Sequence, residues 1–160
     1  MKLENYLSDI PLTDIAEVKR AKKGEVLPKG TLYVQVSACK KSNYEIWNVT
    51  VEDGSLESKY AYLKPKVEWN PVYMQEVLNA HAPKFMERYV GKNINISMDL
   101  FKFYKIDYHW ERNMQNEIAD GLMLLRNAIF ETEEKIQNCE KLKEWGLRYM
   151  FADIMTSVDA

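Results

Sequence analysis

Residues able to do bond-making chemistry are few in this chain, and their spacing does not assemble them. A metal centre needs His, Cys or carboxylate side chains at ligand spacing. His81, His109, Cys39 and Cys139 are scattered singly, so the histidines read as ordinary packed residues and the cysteines as reduced structural thiols. There is no phosphate-cradling glycine loop, dinucleotide fingerprint, nucleophile elbow or zincin helix. Acid pairs such as Glu133-Glu134 fall on the solvated side of a helical pattern, so they are unsuited to acid–base work. The chemistry is that of a non-enzyme, and no cofactor is implied.

What the residues could do is bind. Lys19, Arg20, Lys22 and Lys23 form a basic stretch around a glycine-punctuated turn, with Lys29, Lys40 and Lys41 close by in sequence. Such groups contact phosphates without reading sequence. Gln35, Ser37, Ser42, Asn43 and Tyr44 carry the donors and acceptors that base edges require. The same stretch also fits an ordinary basic surface turn. Composition limits the first reading: the chain has 160 residues and a net charge of −2, far from a strongly basic binder. The distribution is uneven, with 11 Lys/Arg against 9 Asp/Glu in residues 1–66 and 6 against 9 in residues 112–160.

The elements that would position these groups can be read from period and punctuation. Leu12 to Arg20 reads as a short helix or strand. Leu32, Val34, Val36 and Ala38 alternate with polar neighbours, as in a half-buried strand. A second strand is expected over 44–51, with Trp47, Val49 and Val51 on one face and 40–43 as the turn before it. Asp53-Gly54-Ser55 would end that hairpin, and 60–64 would be a third strand stopped by Pro65. Asn70-Pro71 is a helix start, an N-cap followed by proline at the first helical position. That role explains Asn70-Pro71-Val72-Tyr73 better than its loose echo of the Asn/Asp-Pro-Pro-Tyr/Phe tetrad of amino-methyltransferases. Met74, Val77, Leu78, His81 and Phe85 continue the helix, and Pro83 should end or kink it. Ile94, Ile96 and Met98 alternate like a further strand.

From about Trp110 the period changes. Ile118, Leu122, Leu125, Ile129, Thr132, Ile136 and Cys139 recur at spacings of four and three, the heptad seam of a coiled coil. Leu142 and Trp145 continue an apolar stripe after a slip of phase. A helix of this length, roughly 60 Å at about 1.5 Å per residue, needs a partner along that stripe. The expected fold class is α+β: a small mixed α/β domain over residues 1–109, then a long coiled-coil helix over 110–155. No apolar run reaches the ~20 residues of a membrane span. The start, Met1 to Tyr6, lacks the apolar core of a secretory signal, so a cytoplasmic protein is expected.

The order of these segments resembles the specificity subunit of type I restriction-modification systems, and in particular a half-sized form of it. The similar segments are LTDIAEVKR from Leu12, GTLYVQVSA from Gly30, NPVYMQEVL from Asn70 and FMERYVGKNINISMDLFKF from Phe85. The helix entry Gln115-Asn116-Glu117-Ile118 is similar to the family's Gln-x-x-Ile, and LKEWGLRYMF from Leu142 to its helix end. The resemblance implies a target-recognition domain that sits in the major groove of double-stranded DNA. It also implies a helix that docks methyltransferase subunits within a complex with restriction subunits. One domain and one helix imply a homodimer, paired through Ile118, Leu122, Leu125, Ile129, Ile136 and Leu142, that reads a symmetric interrupted site. The segment between Ala38 and Pro65 is short for the family, and Tyr104 to Trp110 lacks its usual prolines. No single DNA-contact residue follows from the resemblance. An interaction module that keeps the docking helix without reading sequence is the alternative.

Overall fold

The computed structural model describes residues 6–38 and 46–158, with side chains described as far as residue 149. The chain forms two compact units, Met1–Ala119 and Asp120–Ala160. It is mixed α/β, with antiparallel sheets and a long C-terminal helix. The strands and helices in order are β1 (Tyr6–Pro11), α1 (Leu12–Ile15), β2 (Ala16–Arg20), β3 (Val26–Leu27), β4 (Leu32–Gln35), β5 (Trp47–Val49), β6 (Gly54–Ser55), β7 (Tyr60–Pro65), α2 (Pro71–Phe85), β8 (Lys105–His109) and α3 (Arg112–Val158).

Four strands make the main sheet, in the order β2-β7-β4-β5. The alternation of β4 holds: Leu32 and Val34 are buried while Tyr33 and Gln35 are half-exposed, and Val36 just beyond the strand is buried as well. The strand is shorter than its pattern, however. It stops at Gln35, and Ala38 is exposed with a left-handed φ of 54°, so Ala38 does not share the buried face. The expected strand over 44–51 is present only as Trp47–Val49, and Val51 is 81% exposed. Its first two residues, 44 and 45, and the turn over 40–43 lie outside the described residues. Asp53-Gly54-Ser55 is not a bare turn, because Gly54 and Ser55 pair with Leu27 and Val26.

Leu12 to Arg20 contains both alternatives in succession, a single helical turn and then a strand. In α2 the Asn70 side chain accepts from the N–H groups of Val72 and Tyr73, the capping that its sequence suggests. Pro83 lies inside the helix and does not end it. The turn beyond it widens into a π-helix over Met86–Val90, closed where the Gly91 N–H reaches the Met86 carbonyl at 2.8 Å. Gly91 itself has φ 55°, which a glycine adopts without strain.

The alternation through Ile94, Ile96 and Met98 does not make a strand. Ile96 is buried and gives one cross-chain bond, N–H to the Val36 carbonyl at 2.8 Å, but Ile94 is 62% exposed. The Asn95 side chain accepts from the Ala38 N–H at 2.9 Å, a local bond in place of a ladder. A 3₁₀ helix, Met98–Phe103, follows immediately. Two strands that hydrophobic periodicity did not reveal, β1 and β8, pair with each other, with a bulge between Leu7 and Ile10. Asp9 takes φ 57° within it.

The core gathers between the main sheet and α2 around Trp47, Phe85, Phe101 and Tyr104. Their rings meet edge-on, tilted or stacked at 4.5–6.4 Å. Edge strand β5 is pinned to α2 because Asn79 brackets the Trp47 backbone, accepting from its N–H and donating to its carbonyl. The Tyr104 hydroxyl accepts from the Trp47 indole N–H at 3.2 Å and donates to the Leu78 carbonyl. Burial pushes the Tyr104 phenol well above its ordinary value. Replacing Tyr104 by Phe leaves the indole N–H buried without its acceptor, so urea denaturation should show a loss of roughly 1–3 kcal/mol. An unchanged midpoint would mean that the hydroxyl contributes nothing to the core.

Candidate functional site

The basic stretch begins on the main sheet. Residues directly opposite one another across a sheet share a face. Lys19 pairs with Tyr62, Tyr62 with Tyr33, and Tyr33 with Asn48, so these four form a row across the side away from the main core, where Tyr62 is buried in a second, small cluster with Ala21 and Leu27. Gln35 stands opposite Tyr60 on that same face, and Tyr33 meets Tyr60 edge-on at 5.4 Å. Lys22 and Lys23 follow β2 on an exposed turn. The sheet thus brings Lys19 and Gln35 into one polar, aromatic surface.

Several of these side chains are already engaged. Lys19 Nζ lies 3.3 Å from Glu17. Arg20 donates from Nε to the Ser58 carbonyl and from Nη2 to Ser37 Oγ, both at 2.8 Å. Gln35 Nε2 donates to the carbonyls of Ser37 at 2.8 Å and Ala38 at 2.9 Å. Arg20 and Gln35 therefore converge on Ser37 and hold the end of β4. The Tyr62 hydroxyl donates to Glu25 at 2.6 Å, which pushes the phenol up to about 12 and holds the Glu25 carboxyl below its usual range. Lys40, Lys41, Asn43 and Tyr44 lie outside the described residues.

A second constellation, within the first unit, ties the start of α3 to the cap of α2 and the end of β8. Gln115 is fully buried, the one buried polar or charged side chain among the described residues. Its Oε1 accepts from the Asn70 N–H at 2.9 Å and its Nε2 donates to the His109 carbonyl at 2.6 Å. Asn70 also donates to the Asn116 side chain at 2.8 Å. The Tyr73 hydroxyl accepts from the His109 N–H at 2.9 Å and lies 3.0 Å from His109 Nδ1. Burial pushes that phenol up to about 12. Ala119 is buried and Ile118 half-buried against the same core. In the sequence, Asn70-Pro71 and Gln115-x-x-Ile118 are separate local signals. Nothing in their spacing says that they touch.

The helix begins at Arg112, slightly later than its period suggests, and continues to Val158. Along Asp120–Ala160, Leu125, Ile129, Ile136 and Leu142 are 54–67% exposed, and Leu122 is half-buried. Leu124, Phe130, Trp145 and Tyr149 are exposed too. Thr132, in the seam, donates its hydroxyl to the Ala128 carbonyl at 2.7 Å, which satisfies that polar group within the helix. Cys139 is a free, exposed thiol. No three potential metal ligands come together among the described residues, and no helix there is long and apolar enough to cross a membrane.

No protein-family model matches the chain, and no curated protein or solved structure is significantly similar to it.

The Gln115 amide makes a sharp prediction. Gln115→Ala strands one buried donor and one buried acceptor, and should lower stability by roughly 2–4 kcal/mol in urea denaturation. Gln115→Glu keeps the acceptor but loses the donor to His109, so it should also destabilise at neutral pH. Wild-type stability in both variants would show that the amide is not a structural tie.

Proposed function

We propose that this chain is a non-catalytic DNA-specificity subunit of the type I restriction-modification kind, acting as a homodimer that docks methyltransferase subunits. One observation carries the reading: two of the segments that take part in the resemblance, the one beginning at Asn70-Pro71 and Gln115-x-x-Ile118, meet at a single buried amide. On this reading the first unit is a target-recognition-like domain, and the helix is a coiled-coil strut. The exposed seam supports the strut, since a large aliphatic side chain gains about 1.5–3 kcal/mol on burial. A second copy of the same helix offers the matching stripe. The tyrosine-rich face of the main sheet, with Lys19, Gln35, Lys22 and Lys23, is the surface assigned to DNA.

The second reading, an interaction module that keeps the helix but does not read sequence, is favoured by a different observation. Gln35, a base-edge candidate, spends its amide donor group on the Ser37 and Ala38 carbonyls, and Arg20, a phosphate candidate, is tied through Nε and Nη2 to Ser58 and Ser37 within the chain. Gel-shift titration against salt, with and without a type I methyltransferase subunit, separates the two. The specificity reading expects duplex binding that weakens steeply with salt as counterions are displaced. No binding to any duplex in either condition leaves the interaction module. Replacing Leu125 and Ile129 together with Glu should convert a dimer to a monomer in sedimentation. An unchanged mass would refute pairing through this seam.

A further inference from the structure

A separate cleft opens in the first unit, on different residues from the lysine turn. Its volume is about 330 Å³, and it is walled by the end of α2 and its π-helical extension on one side and by β1 and β8 on the other. Lys84 and Arg88 stand one turn apart on the helical wall, and Lys105 faces them from β8. None of the three forms a salt bridge among the described residues. The floor includes Phe85, which is buried.

The remaining charges at the cleft are accounted for. His81 is fixed from both sides, Nδ1 at 2.9 Å from the Val77 carbonyl and Nε2 at 3.4 Å from Asp107. Asp107 also accepts from the Asp9 N–H at 3.1 Å, which ties the strained bulge of β1 to this wall. Asp9 is the one carboxylate lining the cleft, against three lysine and arginine side chains. At the rim, Tyr89 and Phe103 stack at 5.1 Å and 7°, with Arg88 lying 5.6 Å from the Tyr89 ring and Lys102 5.0 Å from the Phe103 ring.

Cations drawn from two distant stretches of chain repel one another when gathered around one concavity. All three side chains are exposed, and the cleft gathers their positive potential at one concavity. An anionic phosphate group relieves that repulsion, and guanidinium and ammonium groups together suit phosphate oxygens. We propose that the cleft between Lys84, Arg88 and Lys105 is a phosphate-binding site. The phosphate can be a free phosphate or monoester, or a phosphodiester of a nucleic-acid backbone. The site does not depend on the specificity reading.

The test is titration of the full chain, ¹⁵N-labelled, with inorganic phosphate, with adenosine 5′-monophosphate and with a 20-bp duplex. The site predicts amide shifts centred on residues 84–88 and 105, with at least one probe binding at millimolar Kd or tighter. Lys84→Ala/Arg88→Ala should weaken that probe at least tenfold, whereas Lys92→Ala, away from the cleft, should change it less than twofold. Loss of duplex binding in the double variant assigns the phosphodiester source, and a response to phosphate or monophosphate alone assigns the free one. Absence of shifts at these amides with every probe overturns the proposal, as does a double variant that binds like wild type. Should the double variant lose its cooperative melt, Lys105→Gln is read in its place against the same tenfold threshold.

Discussion

A buried primary amide is a demanding group: taken out of water it must find both a donor and an acceptor at fixed positions. Gln115 finds one of each on the main chain, at Asn70 and at His109. Because an N–H can only donate and a carbonyl can only accept, the amide has one orientation that works. Three chain segments are therefore held at one point: the cap of α2, the end of β8 and the first turns of α3. The Asn70 side chain is itself committed to the N–H groups of Val72 and Tyr73, so a shift of α3 would be felt in the cap of α2. The same cap orients α2, whose inner face builds the core and whose far end supplies Lys84.

How far that arrangement is legible in the sequence depends on the range of the interaction. Local signals were readable where local physics decides the outcome. The Asn70-Pro71 cap, the alternation of β4 and the helical period of α3 each depend on residues within a turn or a few positions of one another. Strands β1 and β8 depend instead on a partner nearly a hundred positions away, and β1 is broken by a bulge with Asp9 in a left-handed conformation. Period-two patterning does not survive such a bulge. The opposite error came at Ile94 to Met98, where a clean alternation met a single backbone bond and an asparagine side chain that took the place of a ladder partner.

Binding residues follow the same rule. A list of lysines, arginines and glutamines by sequence proximity treats all of them as available. The fold divides them: Lys22 and Lys23 remain on an exposed turn, while Arg20 and Gln35 are consumed in fastening Ser37 and the end of β4. Lys84, Arg88 and Lys105 escaped notice for the converse reason. No charge run marks them, and their convergence exists only because α2 and β8 pack together in one core.

The long helix sharpens this contrast between position and availability. Within the first unit, Ile118 and Ala119 are spent on the domain's own core. From Asp120 onward the same period continues, but Leu125, Ile129, Ile136 and Leu142 remain exposed. One sequence pattern thus serves two purposes along one helix. Its first turns anchor through Gln115 and Ile118, where a specific polar tie fixes the geometry. The later turns present a wide apolar arc, with Leu124 and Phe130 beside the seam and Trp145 and Tyr149 in ring contact at 5.5 Å. An arc wider than one heptad seam can cover more than one neighbour, because a two-stranded pairing buries chiefly its a and d positions. The breadth of that arc is what the proposed strut, with a helix on one side and a second protein on the other, would require.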